Sequence, residues 1–61
     1  MVIEEIEVKE DKTVKELIDE LKLSSPVLLE VNGEVFYPDE NYGKILKRGD
    51  IVMLIPIIDG G

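Results

Sequence analysis

Gly60 and Gly61 close this sequence, preceded by Ile57-Ile58-Asp59. Glycine carries no side chain, so two in succession can thread a narrow channel. They also reach backbone angles that other residues avoid. Their chemistry would be that of a chain end, with the Gly61 carboxylate handed into another protein's active site. A frayed terminus without a role is the competing account. An apolar strand leading into the pair of a small acidic chain favours the functional one. The rest of the reactive inventory is thin. The chain has no Cys and no His, which excludes disulfides and the usual zinc ligand sets. Glu4 and Glu5 read as solvated strand charges rather than a general acid/base pair. No catalytic residue and no metal ligand is therefore expected.

The scaffold that must present this tail is small. Sixty-one residues make one domain, and a chain of that length buries only about 60% of its unfolded surface. The fold must rest on apolar packing, for which the 44% apolar content is sufficient. Fourteen acidic residues against seven basic ones give a net charge of −7. That charge repels phosphate backbones and anionic membranes, so no nucleic acid or membrane partner is expected. It suits docking on a basic patch of another protein, or serves solubility alone. No stretch reaches the roughly 18 apolar residues of a membrane span. The acidic start Met1-Val2-Ile3-Glu4-Glu5 does not read as a secretory signal. With no cysteine, the chain fits a reducing cytosol, and a cytoplasmic location is expected.

The elements follow from periodicity and punctuation. Residues 2–9 alternate loosely and read as a strand. Thr13 is a good N-cap, and Glu16 three residues on completes a capping box. Val14, Leu17, Ile18 and Leu21 fall on one stripe of a helix expected over 14–22. So short a helix needs a sheet to pack on. Ser24-Ser25-Pro26 stops it, because the residue before proline resists helical angles. Val27–Val31 is the second strand. Asn32-Gly33 is a strong two-residue hairpin signal, and Glu34–Tyr37 returns as the third strand. A polar loop follows over 38–43. Lys44–Lys47 is expected as a short turn that drops Ile45 or Leu46 into the core. Arg48-Gly49-Asp50 is a tight turn. Ile51–Ile55 is an unbroken apolar run, the mark of a central strand. One short helix covers one face of the sheet. Either Ile51, Met53 and Ile55 or Val52 and Leu54 must then face away from it. That exposed strip is a candidate protein-binding surface, unless the sheet curls or loop 38–46 covers it. Pro56 lacks an N–H and weakens the ladder. A tail is expected from about residue 56.

Strand, capped helix, Asn-Gly hairpin, tight turn, apolar strand and diglycine come in an order that resembles the ThiS/MoaD family of sulfur carriers. These are β-grasp relatives of ubiquitin. The most specific stretches are Val31-Asn32-Gly33-Glu34-Val35, Leu46-Lys47-Arg48-Gly49-Asp50, Thr13-Val14-Lys15-Glu16-Leu17 and Gly60-Gly61. The resemblance covers essentially the whole chain, residues 1–61, as one domain. It implies an α+β fold, with a small mixed sheet packed on one helix. Only twelve residues precede Thr13, so the family's N-terminal hairpin is shortened. Glu4 to Val8 match its second strand, and the first is reduced to Met1-Val2-Ile3 or lost. The edge so exposed makes a homodimer one way to fill it.

The resemblance also implies a function. The carboxylate of Gly61 would be adenylated by a partner related to ubiquitin-activating enzymes, which uses ATP, and then converted to a thiocarboxylate. The sulfur would pass to a synthase for thiamine, molybdopterin or a related product. Gly60 would let the tail enter the channel, with Asp59 beside it, where many relatives carry a small or apolar residue. Val52, Leu54, Ile57 and Ile58 would dock the partner. The chain itself would bind no cofactor and would be a carrier rather than an enzyme, or the small subunit of a molybdopterin-synthase-like enzyme. Pro56 resembles the tails of molybdopterin carriers, whereas the Asn32-Gly33-Glu34-Val35 hairpin and the short length resemble thiamine carriers. Two other functions remain open: a ubiquitin-like modifier joined to proteins through Gly61, and a binding module whose diglycine is incidental.

Overall fold

The hairpin at Asn32-Gly33 sets the register of the sheet. In a computed structural model of the chain, which describes residues 3–57, Asn32 and Gly33 take φ of +52° and +85°. Both angles lie in the left-handed region that this two-residue turn requires. The turn joins β3 (Val27–Val31) to β4 (Glu34–Phe36), with Leu29 opposite Phe36 and Val31 opposite Glu34. On its other side β3 pairs with β6 (Ile51–Pro56), with Leu29 opposite Leu54 and Val31 opposite Val52. Beyond β6 lies β1 (Glu4–Glu7), with Ile6 opposite Val52. The sheet order is therefore β1-β6-β3-β4, and every pairing among the described residues is antiparallel. The expected mixture of parallel and antiparallel pairs is thus not found there. β1 lies directly on β6 and runs opposite to it. A parallel rung would need a further strand between them.

The helix α1 spans Val14–Leu21 and packs on one face of this sheet. Its start is satisfied group by group. The Glu16 N–H donates to the Thr13 hydroxyl at 3.1 Å, and the Thr13 N–H donates to the Glu16 carboxylate at 2.8 Å. This is the expected capping box. The N–H groups of Val14 and Lys15 donate to the carbonyls of Lys44 and Tyr42 at 2.9 and 3.2 Å. The loop after β4 is thereby tied to the helix start, and three of the N–H groups that a helix leaves without internal partners are paired. The tie continues as a small second sheet, β2 (Lys12–Thr13) with β5 (Ile45–Leu46). Lys44–Lys47 is therefore partly strand rather than turn. The side-chain outcome is as expected: Leu46 is fully buried and Ile45 is exposed. The helix ends at Lys22, whose φ of +50° is left-handed and whose N–H reaches the Ile18 carbonyl at 3.3 Å. The stop thus precedes Ser24-Ser25-Pro26 by two residues.

The core consists of Val8, Val14, Leu17, Leu29, Val31, Leu46, Val52 and Leu54, with Ile6, Ile18, Leu21, Val27 and Phe36 packed around it. It draws on nearly every element, so the helical stripe and the inward sides of β3 and β6 meet as one cluster. This is the β-grasp arrangement, one helix on a four-stranded antiparallel sheet. The turn before β6 is pinned to β1. Gly49 takes φ of +92°, its N–H donates to the Val8 carbonyl, and the Val8 N–H donates to the Asp50 carbonyl, both at 2.8 Å.

The cap carries a measurable prediction. Hydrogen bonds from the Thr13 backbone N–H and, second, from its hydroxyl hold the Glu16 carboxyl below its ordinary value of 4.5. A depressed carboxylate pKa contributes stability that is present above that value and is lost as pH falls through the folded pKa. Thr13→Ala should cost about 0.5–2 kcal/mol in urea unfolding at pH 7. The difference from the parent should narrow in acid, because the hydroxyl's share of the Glu16 interaction is gone. A cost that does not change with pH would contradict the bond from the Thr13 hydroxyl to the Glu16 carboxylate.

Candidate functional site

The site has two parts, a tail and the surface from which it springs. The tail residues Gly61, Gly60, Asp59 and Ile58 lie outside the described residues, as do Met1 and Val2. The surface can be built from β6 outward. Successive residues of a strand point to opposite faces. Val52 and Leu54 point to the helix and are 0% and 3% exposed. They are core residues and offer nothing to a partner, so the expected docking role for Val52 and Leu54 is corrected. The stripe of α1 takes them because they stand opposite Val31 and Leu29, which also face inward.

The alternate set is the open one. Ile51 is 41% exposed, and Met53 and Ile55 are half-buried. Register extends the strip sideways. Leu28 stands opposite Ile55, and Glu30 opposite Met53. Val35, 51% exposed, stands opposite Glu30. On the β1 side Glu5 stands opposite Met53, and Glu7 opposite Ile51. The open face thus carries Ile51, Met53, Ile55, Leu28 and Val35, with Glu5 and Glu7 along its β1 side and Glu30 set between Met53 and Val35. The loop after β4 does not cover it, because its carbonyls at Tyr42 and Lys44 bond the helix start on the other side of the sheet. Leu28 and Val35 escaped the sequence reading. One signal for them was available. Glu30 is the one charged residue of β3 and must face water, which sends Leu28 outward with it and Leu29 and Val31 inward.

At its far end β6 runs one residue further than expected. Pro56 still stands opposite Val27, and the Ile57 N–H donates to the Pro26 carbonyl at 3.3 Å. The root of the tail is therefore held at Ile57, not released at Pro56. Half-buried Ile57 lines an open groove of about 470 Å³ with Ile18, Leu23, Pro26, Val27, Tyr37 and Tyr42. Tyr37, Tyr42 and Leu23 are exposed there. Their part in the surface was not read from the sequence: Leu23 and Tyr42 lie outside the helix and strands, where no periodicity places them, and Tyr37, expected as the end of the third strand, falls just past β4.

Among the described residues no cluster of His, Cys, Asp and Glu is arranged to hold a metal ion, and no helix is long and apolar enough to cross a membrane. Among the described residues no buried side-chain polar atom lacks a partner. What the arrangement offers chemically is presentation, namely a central strand with an apolar face that carries three glutamates and that continues in sequence into residues 58–61.

Comparison with known proteins agrees with that arrangement. The family model described as "ThiS family" matches residues 2–61. No curated protein and no solved structure gives a match. The match spans the capped helix, the Asn-Gly hairpin, the central strand and the diglycine together. On that ground the chain belongs to the ThiS family, which points to a small sulfur carrier of cofactor biosynthesis rather than an enzyme.

Proposed function

We propose that this chain carries sulfur as a thiocarboxylate on Gly61. A carboxylate resists nucleophiles because its charge is delocalised over two oxygens. In the first step a Gly61 carboxylate oxygen attacks the α-phosphate of ATP on an activating enzyme, and pyrophosphate leaves. A sulfur nucleophile then attacks the acyl carbon and AMP leaves, so that sulfur replaces one oxygen. A synthase takes the sulfur for thiamine, molybdopterin or a related cofactor, in the cytoplasm where the activating enzyme and ATP are found. With neither Cys nor His, the chain brings no thiol or imidazole to the reaction, and the acid, base and phosphate-binding groups come from the partner. Gly60 and Gly61 supply slenderness at the point of entry to its channel.

The observation that carries this reading is the exposed strip on β6 and its neighbours, continuous in sequence with the tail. Ile51, Met53 and Ile55 dock the activating enzyme, and Ile57 and Ile58 extend the contact toward the channel. Glu5 and Glu7 at the β1 side and Glu30 within the strip select basic groups on the partner. Incubation with ATP, sulfide and the adenylating enzyme of the same organism, followed by intact-mass measurement, tests the chemistry. The expected product is heavier by one oxygen-to-sulfur exchange, mapped to Gly61. An unchanged mass with a verified active enzyme would refute it, and recovery of isopeptide adducts alone would move the function to conjugation.

Met53→Arg tests the surface separately. Its long stem keeps contact with the sheet, and its charge falls beside Glu5 and Glu30. Stability should stay within about 1 kcal/mol of the parent, while affinity for the activating enzyme drops about tenfold or more. Unaltered affinity would place the docking surface elsewhere.

A further inference from the structure

Among the described residues β1 forms an unpaired edge of the sheet, and the charges along it say what can pair there. Val8 directs both its backbone groups toward the turn before β6, through the bonds to Asp50 and Gly49. Backbone pairing alternates along an antiparallel strand. Glu4 and Ile6 therefore point their N–H and C=O groups toward β6, and Glu5 and Glu7 point theirs outward. Among the described residues nothing pairs with that side of β1. The opposite edge is less accessible. β4 has only three residues, and the Lys44 amino group lies across it, 3.4 Å from the Glu34 carboxylate and 5.8 Å from the Phe36 ring centre.

An open edge is a template for another strand. A second copy of this chain is a poor occupant. Self-pairing along β1 sets glutamates against glutamates, and like charges directly opposite are destabilising. Lys9 offsets only one of them, at 3.2 Å from Glu7. The side chains of Glu5 and Glu7 lie on the open face, while Ile6 between them is half-buried on the helix side. We propose that the outer edge of β1 accepts an extended segment of a partner protein in which basic residues alternate with apolar ones. The basic side chains face Glu5 and Glu7, and the apolar residue between them covers Ile6. Main-chain bonds supply the affinity and the alternate side chains supply the selection. The inference needs only the fold and the charges of β1, so it stands or falls independently of the chemistry at Gly61.

The test uses the full chain and three synthetic peptides: Ac-Lys-Val-Lys-Val-Lys-Val-NH2, its Glu-Val counterpart, and the Lys-Val peptide N-methylated at alternate residues. The last keeps charge and apolar surface but cannot complete the ladder. Amide hydrogen exchange is followed residue by residue. The Lys-Val peptide should slow exchange at Glu5 and Glu7 by about tenfold or more, and the effect should weaken as salt rises. The other two peptides should leave these amides unchanged. Glu5→Lys combined with Glu7→Lys alters exposed side chains only and should reverse the preference toward the Glu-Val peptide. The proposal is overturned by unchanged exchange at Glu5 and Glu7 with the Lys-Val peptide. Equal protection by the N-methylated peptide overturns it too, as does a stable β1-paired dimer of the chain itself in sedimentation at pH 7.

Discussion

Deleting Gly61 should reduce thiocarboxylate formation to background while leaving the fold intact. The deletion does not remove the chemical group, because Gly60 then carries a free carboxylate. It removes reach. One residue of extended chain spans about 3.3–3.6 Å, and a reacting pair must approach to about 3–3.5 Å in the right orientation. With the face docked as proposed and Ile57 held by its bond to Pro26, the shortened tail would present its acyl carbon a whole residue short of the activating enzyme's phosphate. Among the described residues the buried core runs from Val8 to Leu54 and does not include Ile57, from which the tail continues. Unfolding free energy should therefore stay within about 0.5 kcal/mol of the parent. The readouts are intact mass after reaction with ATP and sulfide, and urea unfolding of the same sample. Retained thiocarboxylate would show that the enzyme tolerates a displaced tail. Lost folding would show that the tail contributes to the core.

Leu29→Ala should have the opposite profile. Leu29 is 0% exposed in β3, between Leu54 of β6 and Phe36 of β4, beneath the helix. Truncating a leucine so placed costs about 2–5 kcal/mol, the larger values arising where surroundings cannot collapse into the cavity. A domain of 61 residues has a total stability of roughly 3–9 kcal/mol. A large part of the folded population can thus be lost to one substitution, and sulfur transfer would fail because the presenting strand is no longer formed. Val35→Ala is the internal control. It lies two residues past the same hairpin but on the open face, and should shift stability by only about 0.5 kcal/mol. Equal losses in the two variants would mean that the inner and outer faces are not those described.

Much of this fold was legible because its signals are local. The capping box at Thr13 and Glu16, the stripe of Val14, Leu17, Ile18 and Leu21, and the Asn32-Gly33 turn each involve residues within one helical turn or one hairpin. The bounds of β3 followed for the same reason. The diglycine stood out by residue type alone, since glycine's lack of a side chain needs no neighbour, and its chemistry belongs to the proposed function.

Tertiary structure decided what depends on pairing between distant segments. Five apolar residues in a row from Ile51 to Ile55 carry no period, so the sequence could not say which set faces water. The register of β6 on β3 chose Val52 and Leu54 for the core and left Ile51, Met53 and Ile55 outside. Lys44–Lys47 looked like a turn because its strand partner is Lys12–Thr13, more than thirty residues away. The antiparallel placement of β1 on β6, and with it the open edge of Glu5 and Glu7, depends on which strand reaches the central one. No local propensity encodes that choice, because backbone hydrogen bonding is the same for every residue, and only the burial of side chains on one face of the assembled sheet distinguishes the alternatives.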